Sequence, residues 1–329
     1  MLALSKTVRR SIEIEAAPAI GASRPLTAMK PGETYHGQDG GLYGQNSNRP
    51  PRSHLAAALR EGKLVRPLRA DGEPDERGLI GFLAIGFSNT FHEFREFVDL
   101  ARRDGRASPS VRAVNGAQLH IGSGDWAASH DSSGRAHPDP WNVLDERLEH
   151  SGVTEPQVQA AWIKLTSREP GTLGAFPLHA QQLTRDLRAI VRLLKCRFPN
   201  LRLAFLSSRI FAGYARTPLS PEPYAYESAF SVRWLIQEQI GGSEGLNYDP
   251  ARGAVSSPLL LWGPYLWALI NRGKKNRDLG WTRGDFAEDG THPSAAGARK
   301  VARRLLTFMK TNAVARPWFT SVMACILCS

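Results

Sequence analysis

The chain has 329 residues, 42% of them hydrophobic, and a formal net charge of +11. That is enough for a substantial packed core, as one large α/β domain or two small ones. No run of eighteen apolar residues occurs, and Lys6, Arg9 and Arg10 stand where a signal peptide needs its apolar stretch, so the sequence predicts neither a membrane span nor a signal peptide; cytoplasm and export both stay open. The densest basic group, Arg299, Lys300, Arg303, Arg304 and Lys310, falls on one predicted helix and reads as a solvated face. With no nucleic-acid motif beside it, no specific nucleic-acid partner is expected. Three cysteines cannot build a disulfide framework: Cys196 sits in a helical pattern, and Cys325-x-x-Cys328 lacks the second ligand pair of a zinc site.

In chain order, residues 1 to about 70 are rich in Gly, Pro and Asn and lack periodicity, which predicts an irregular N-terminal extension ordered by its contacts. From about 78 onward short apolar runs alternate with longer amphipathic ones, the pattern of βαβ units around a parallel sheet, within an α/β domain expected over 71–316. Five strands are predicted at 79–85, 111–114, 158–165, 201–206 and 259–262, each close to continuously apolar, as strands are when helices cover both faces. Helices are predicted at about 91–103, 141–150, 179–197, 225–240 and 295–310. The first is predicted to open on a capping box, Thr90 to Glu93, and the last on Ser294 as N-cap. The fold class that follows is a three-layer α/β/α sandwich around a mainly parallel sheet of about five strands. Residues 317–329 read as a tail.

Two segments carry chemistry. Gly86-Phe-Ser-Asn-Thr90 lies between the first predicted strand and its helix, so Ser88 sits at the carboxyl edge of the sheet beside unpaired helix-start amides that stabilise a developing oxyanion. Taken alone, that segment reads as an ordinary turn serine. Asp289-Gly-Thr-His292-Pro-Ser294 precedes the final helix. A serine hydroxyl needs a base to take its proton, and an imidazole needs a carboxylate on its other nitrogen to fix its tautomer. Three residues of turn bring Asp289 and His292 together and leave Nε2 free to meet Ser88. Here too a capping turn is an alternative.

These two blocks resemble those of the SGNH, or GDSL-type, hydrolases. The family's first block, Gly-Asp-Ser and often Asn after a strand, is similar to Gly86-Phe87-Ser88-Asn89, with Phe87 where Asp is usual. Its last block, Asp-x-x-His-Pro, is matched by Asp289 to Pro293 with Gly297 following. The resemblance spans about residues 78–312 and is nearest to a bacterial branch with Ser-Asn-Thr in the first block. It implies a serine esterase that uses no cofactor, with Ser88, Asp289 and His292 as catalytic residues and an oxyanion hole from the amides of Ser88 and Gly116. The family's further Asn is missing after the third strand, so Thr166 or Ser167 would have to take its place. The implied substrate is a carboxylic ester, small or carried on a glycan such as an O-acetyl sugar.

Trp262 and Tyr265, with Trp267 and Trp281, precede the Asp289 loop, where aromatic faces stack on sugars or simply pack as core. Together with Asn89 they are taken as expected substrate contacts. Tyr224, Tyr226 and Glu227 are further candidates on position alone. A non-catalytic glycan-binding module on the same scaffold is the alternative reading, motivated by the missing Asn and the aromatic run. His92, His120, His130, His137 and His179 do not have the spacing of metal ligands, and no metal is expected. The oligomeric state has no sequence signal.

Overall fold

A computed structural model describes residues 24–128, 139–268 and 280–321. Lys6, Arg9, Arg10, His130, His137, Cys325 and Cys328 lie outside them. Five strands, β1 (Ile80–Gly86), β2 (Val111–Asn115), β3 (Val158–Lys164), β4 (Leu203–Leu206) and β5 (Leu259–Trp262), form one parallel sheet in the order β2-β1-β3-β4-β5. This is the flavodoxin-like order, and it reverses direction between β1 and β3. The chain is therefore an α/β protein of the predicted layered class.

The composition of each strand explains its place. β1, β3, β4 and β5 are buried along their whole length, whereas the edge strand β2 carries Arg112 to solvent. Eight helices are described: α1 (Arg52–Leu64), α2 (Ser88–Arg103), α3 (Ser123–Ala127), α4 (Pro140–His150), α5 (Leu178–Arg197), α6 (Tyr224–Ile240), α7 (Ala295–Thr311) and α8 (Arg316–Phe319). On one face α2 packs against α7, with α8 and α1 beyond; α5 and α6 pack together elsewhere. Large aromatics mark the first face: Phe82 of β1 meets Phe94, Phe97 and Trp318, Trp162 of β3 meets Phe94, and Phe205 of β4 meets Phe308.

Three expectations are corrected. Residues 52–64, read as irregular, form α1, whose Ala57 and Ala58 are buried in the core. The helix has no strong apolar stripe to announce it. The tail begins later than 317, because Trp318 and Phe319 are core residues. The capping box at Thr90 is absent: α2 starts at Ser88, and no side chain caps it. Thr90 instead donates its hydroxyl to the Lys164 carbonyl at 2.7 Å, and Glu93 pairs with the Lys164 ammonium at 2.8 Å. Tertiary partners have taken both residues away from the local cap. The cap at Ser294 forms, its Oγ accepting from Gly297 N at 3.3 Å. The basic face of α7 is also less free than expected, since Arg299, Lys300 and Lys310 pair with Glu96, Asp285 and Asp104.

Candidate active site

β1 ends at Gly86, and α2 begins two residues later, so Ser88 is the first residue of the helix. Gly86 has a packing reason: a Cβ there would lie 2.3 Å from Thr90 Cβ. The turn is tight because the helix must rise directly off the strand. Ser88 is only 6% exposed, and the first-turn amides of α2 have no partner within the helix itself.

The second half of the site is a short hairpin. Phe286 bridges to Pro293 in antiparallel fashion, Ala287 N donates to the His292 carbonyl at 2.9 Å, and the tip holds Asp289 and Gly290. Gly290 has φ of +65°, and a Cβ there would sit 1.7 Å from the Tyr214 carbonyl oxygen, so only glycine fits. Asp289 organises its own turn: Oδ1 accepts from the N–H groups of Thr291 at 2.9 Å and His292 at 3.0 Å. Its Oδ2 lies 2.5 Å from His292 Nδ1, and His292 Nε2 lies 2.9 Å from Ser88 Oγ.

Charge fixes the tautomer. Burial pulls the Asp289 carboxyl upward, but the bonds from the His292 ring and from the His292 and Thr291 amides outweigh it and hold the group below its ordinary range. An ionised Asp289 can only accept, so in the neutral imidazole the His292 proton belongs on Nδ1 and the Nε2 lone pair faces the Ser88 hydroxyl. That is the arrangement in which an imidazole removes a hydroxyl proton. His92, one turn along α2, stands edge-on to His292 with ring centroids 6.4 Å apart, and its pKa is lowered by burial, Arg95 and His292.

Beneath the site, at the point where the sheet order reverses, a small pocket is lined by Asn89 and Thr90 after β1, Lys164 and Thr166 from the end of β3, and Arg209 after β4. Lys164 and Glu93 form a fully buried ion pair. Desolvation pushes the Lys164 ammonium down and the Glu93 carboxyl up, each opposed by the other's charge.

Each of the remaining expected residues is buried or bonded to other parts of the protein. Gly116 is buried, and its N–H reaches back to the Val114 carbonyl at 3.2 Å; a Cβ there would meet Ala84 O at 2.7 Å, so the residue serves close packing. The Thr166 hydroxyl is engaged by Ser220 Oγ at 2.8 Å, and Ser167 is likewise buried. Asn89 does not face solvent: it is buried, and its Nδ2 donates to the Thr291 carbonyl at 3.1 Å.

Trp262 is not a surface contact either, and Tyr265 is half-buried. Trp262 is 4% exposed and donates Nε1 to the Leu42 carbonyl at 2.6 Å, while the Tyr265 hydroxyl accepts from Leu26 N at 3.1 Å. Both pack under the N-terminal segment, a cover that no spacing pattern announces. Trp267 and Trp281 are buried too. Tyr226 and Glu227 face inward, with Glu227 bonded to Tyr35 at 2.6 Å and to His179 at 2.7 Å, and Tyr224 packs edge-on to His179. Among the described residues no group of His, Cys, Asp and Glu could hold a metal ion, and no helix is long and apolar enough to cross a membrane. Lys164 and Arg209 are the site residues that sequence reasoning missed; a cation closing a mostly apolar strand, as Lys164 closes Val158–Lys164, is the signal that could have found the first.

No family model matches the chain, and no curated protein sequence matches it. Among solved structures the chain is similar to a family 3 carbohydrate esterase from Clostridium thermocellum, at 12% identity and a TM-score of 0.39, over 70% of this chain and 95% of that one.

Proposed function

We propose that the protein is a serine hydrolase of carboxylic esters, acting through an acyl-serine intermediate at Ser88. The observation that carries this reading is the continuous chain from Asp289 Oδ2 through both nitrogens of His292 to Ser88 Oγ, at 2.5 and 2.9 Å. In the proposed reaction Ser88 Oγ attacks the ester carbonyl carbon while its proton passes to His292 Nε2. The carbonyl π pair moves onto oxygen, and the resulting oxyanion rests against the Ser88 amide at the start of α2. Collapse expels the alcohol, which takes the proton from His292. Water then attacks the acyl carbon, again giving its proton to His292, and frees the acid and the serine.

Gly116 N–H is the second donor in this reading, shared with its contact to the Val114 carbonyl. With the Thr166 hydroxyl engaged elsewhere, the hole has one donor fewer than the family pattern, at a cost of about 3 kcal/mol in the barrier. A slow esterase is the consequence. An O-acetyl group on a carbohydrate is the proposed substrate class. The alternative of a glycan-binding module loses the support of its expected aromatic contacts, because Trp262 is buried and Tyr265 is half-buried with its hydroxyl tied to Leu26 N.

Turnover of p-nitrophenyl acetate by the purified protein beside Ser88→Ala and His292→Ala tests the proposal. Activity in the parent and loss in both variants is expected. Equal rates in all three would sink it.

A further inference from the structure

The peptide joining Thr291 to His292 is gripped at both ends. Its N–H, on His292, donates to Asp289 Oδ1 at 3.0 Å. Its carbonyl oxygen, on Thr291, accepts from Asn89 Nδ2 at 3.1 Å and from Arg209 Nη2 at 3.4 Å. A peptide plane fixed on both edges fixes the Cα of the residue that follows, and here that residue is His292.

The two donors differ in origin. Asn89 is the neighbour of Ser88 on the first turn of α2, so this helix start holds the His292 ring through one residue and the peptide ahead of it through the next. Arg209 comes from the segment after β4 and is 4% exposed. Its counter-charges are Glu222, Glu93 and Asp289, which come from the turn before α6, from α2 and from the hairpin; Lys164 of β3 adds like charge to the cluster. Taking a guanidinium out of water is costly, and an aliphatic side chain would fill the same space without that cost. What an aliphatic residue cannot do is donate to the Thr291 carbonyl.

We infer that Arg209, together with Asn89, is a positioning residue for the His292 base, holding the Thr291 carbonyl so that Nε2 stays in reach of Ser88 Oγ. The inference rests on the hydrolase reading. Arg209 touches neither member of the Ser88–His292 pair through its side chain, and it acts through the loop. It therefore sets how often His292 is aligned for proton transfer, which governs kcat more than substrate binding.

The experiment compares R209M, R209K, N89A and the N89A/R209M double variant with the parent and S88A. Kinetics with p-nitrophenyl acetate are measured alongside the rate of Ser88 labelling by a fluorophosphonate, each normalised to folded protein from circular dichroism and thermal melting. R209M is expected to lower kcat by about 10-fold to 100-fold with KM little changed, and to slow labelling in parallel. R209K is expected to recover part of the loss, since an ammonium still donates to the carbonyl. The double variant is expected to lose less than the product of the single losses, because both donors hold one oxygen.

Parent-like kcat and labelling in R209M, or a loss that vanishes after correction for folded protein, overturns the inference. If R209M does not fold, N89A decides: a similar loss in kcat and labelling supports the clamp, and parent-like values overturn it. Turnover that survives in S88A brings down the hydrolase reading and this inference together, whereas an inactive S88A beside a parent-like R209M brings down the inference alone.

Discussion

The hairpin at 286–293 and the aromatic run at 262–267 are close in sequence, and by sequence pattern both qualify as surfaces that meet a substrate. They end in opposite states. His292 and Asp289 remain partly open to solvent at the end of the sheet, tied to Ser88 and to each other. The aromatic run is buried or half-buried beside residues 26 and 42, with indole and phenol groups spent on the backbone of Leu42 and Leu26. Large apolar area is drawn into whatever cover the chain can supply, while a carboxylate paired to an imidazole is satisfied at the boundary. Aromatic residues near a site are therefore weak markers of substrate contact, and a charged pair with nothing else to explain it is a stronger one.

The difference can be broken from either side. On the hairpin, Asp289→Asn removes the anion that fixes the His292 tautomer; kcat is expected to fall about a thousandfold or more with little change in melting temperature, read from ester kinetics and a thermal melt. On the aromatic run, Trp262→Ala is expected to cost about 3–5 kcal/mol of stability, with turnover per folded molecule unchanged, as measured by denaturant unfolding and active-site titration. An activity loss in the Trp262 variant larger than its folded fraction explains would erase the distinction.

Glu222 sharpens the contrast through pH. It accepts from Trp267 Nε1 at 2.7 Å, from Ala212 N at 2.9 Å and from Tyr226 N at 3.1 Å, and burial pushes its carboxyl up to about 7. The folded protein then holds a proton that the unfolded chain releases between about 4.5 and about 7. The sign follows: this group's contribution to stability is present below that window and declines as pH rises through it, by an amount on the order of 3 kcal/mol. Glu222→Gln is expected to flatten the pH dependence of unfolding free energy across that window. The smallest effect lies at the exit of the hairpin, where Ser294→Ala removes the cap of α7 and is expected to cost about 1 kcal/mol with turnover unchanged.

Much of this molecule was legible before folding. Runs such as Val158–Leu165 and Leu259–Trp262 announced buried parallel strands because a strand covered on both faces has no reason to alternate. The turn chemistry of Asp289 and His292 was equally plain, since both partners lie in one loop and their meeting depends only on local geometry. The cap at Ser294 belongs with them.

What the sequence could not decide were long-range choices between partners of similar strength. Thr90 and Glu93 had the spacing of a local cap and gave it up for Lys164, 74 and 71 residues away: the Thr90 hydroxyl donates to the Lys164 backbone carbonyl, and the Glu93 carboxylate takes the buried Lys164 ammonium, which must be paired once out of water. α1 gained its helix from packing rather than from its own pattern. Arg209 and Asn89 converge on the Thr291 carbonyl only because the sheet order brings the ends of β1 and β4 under the hairpin. Local chemistry within a few residues was thus written in the sequence, while every contact that had to outbid another was settled by the tertiary fold, where desolvation sets which polar group must be satisfied first.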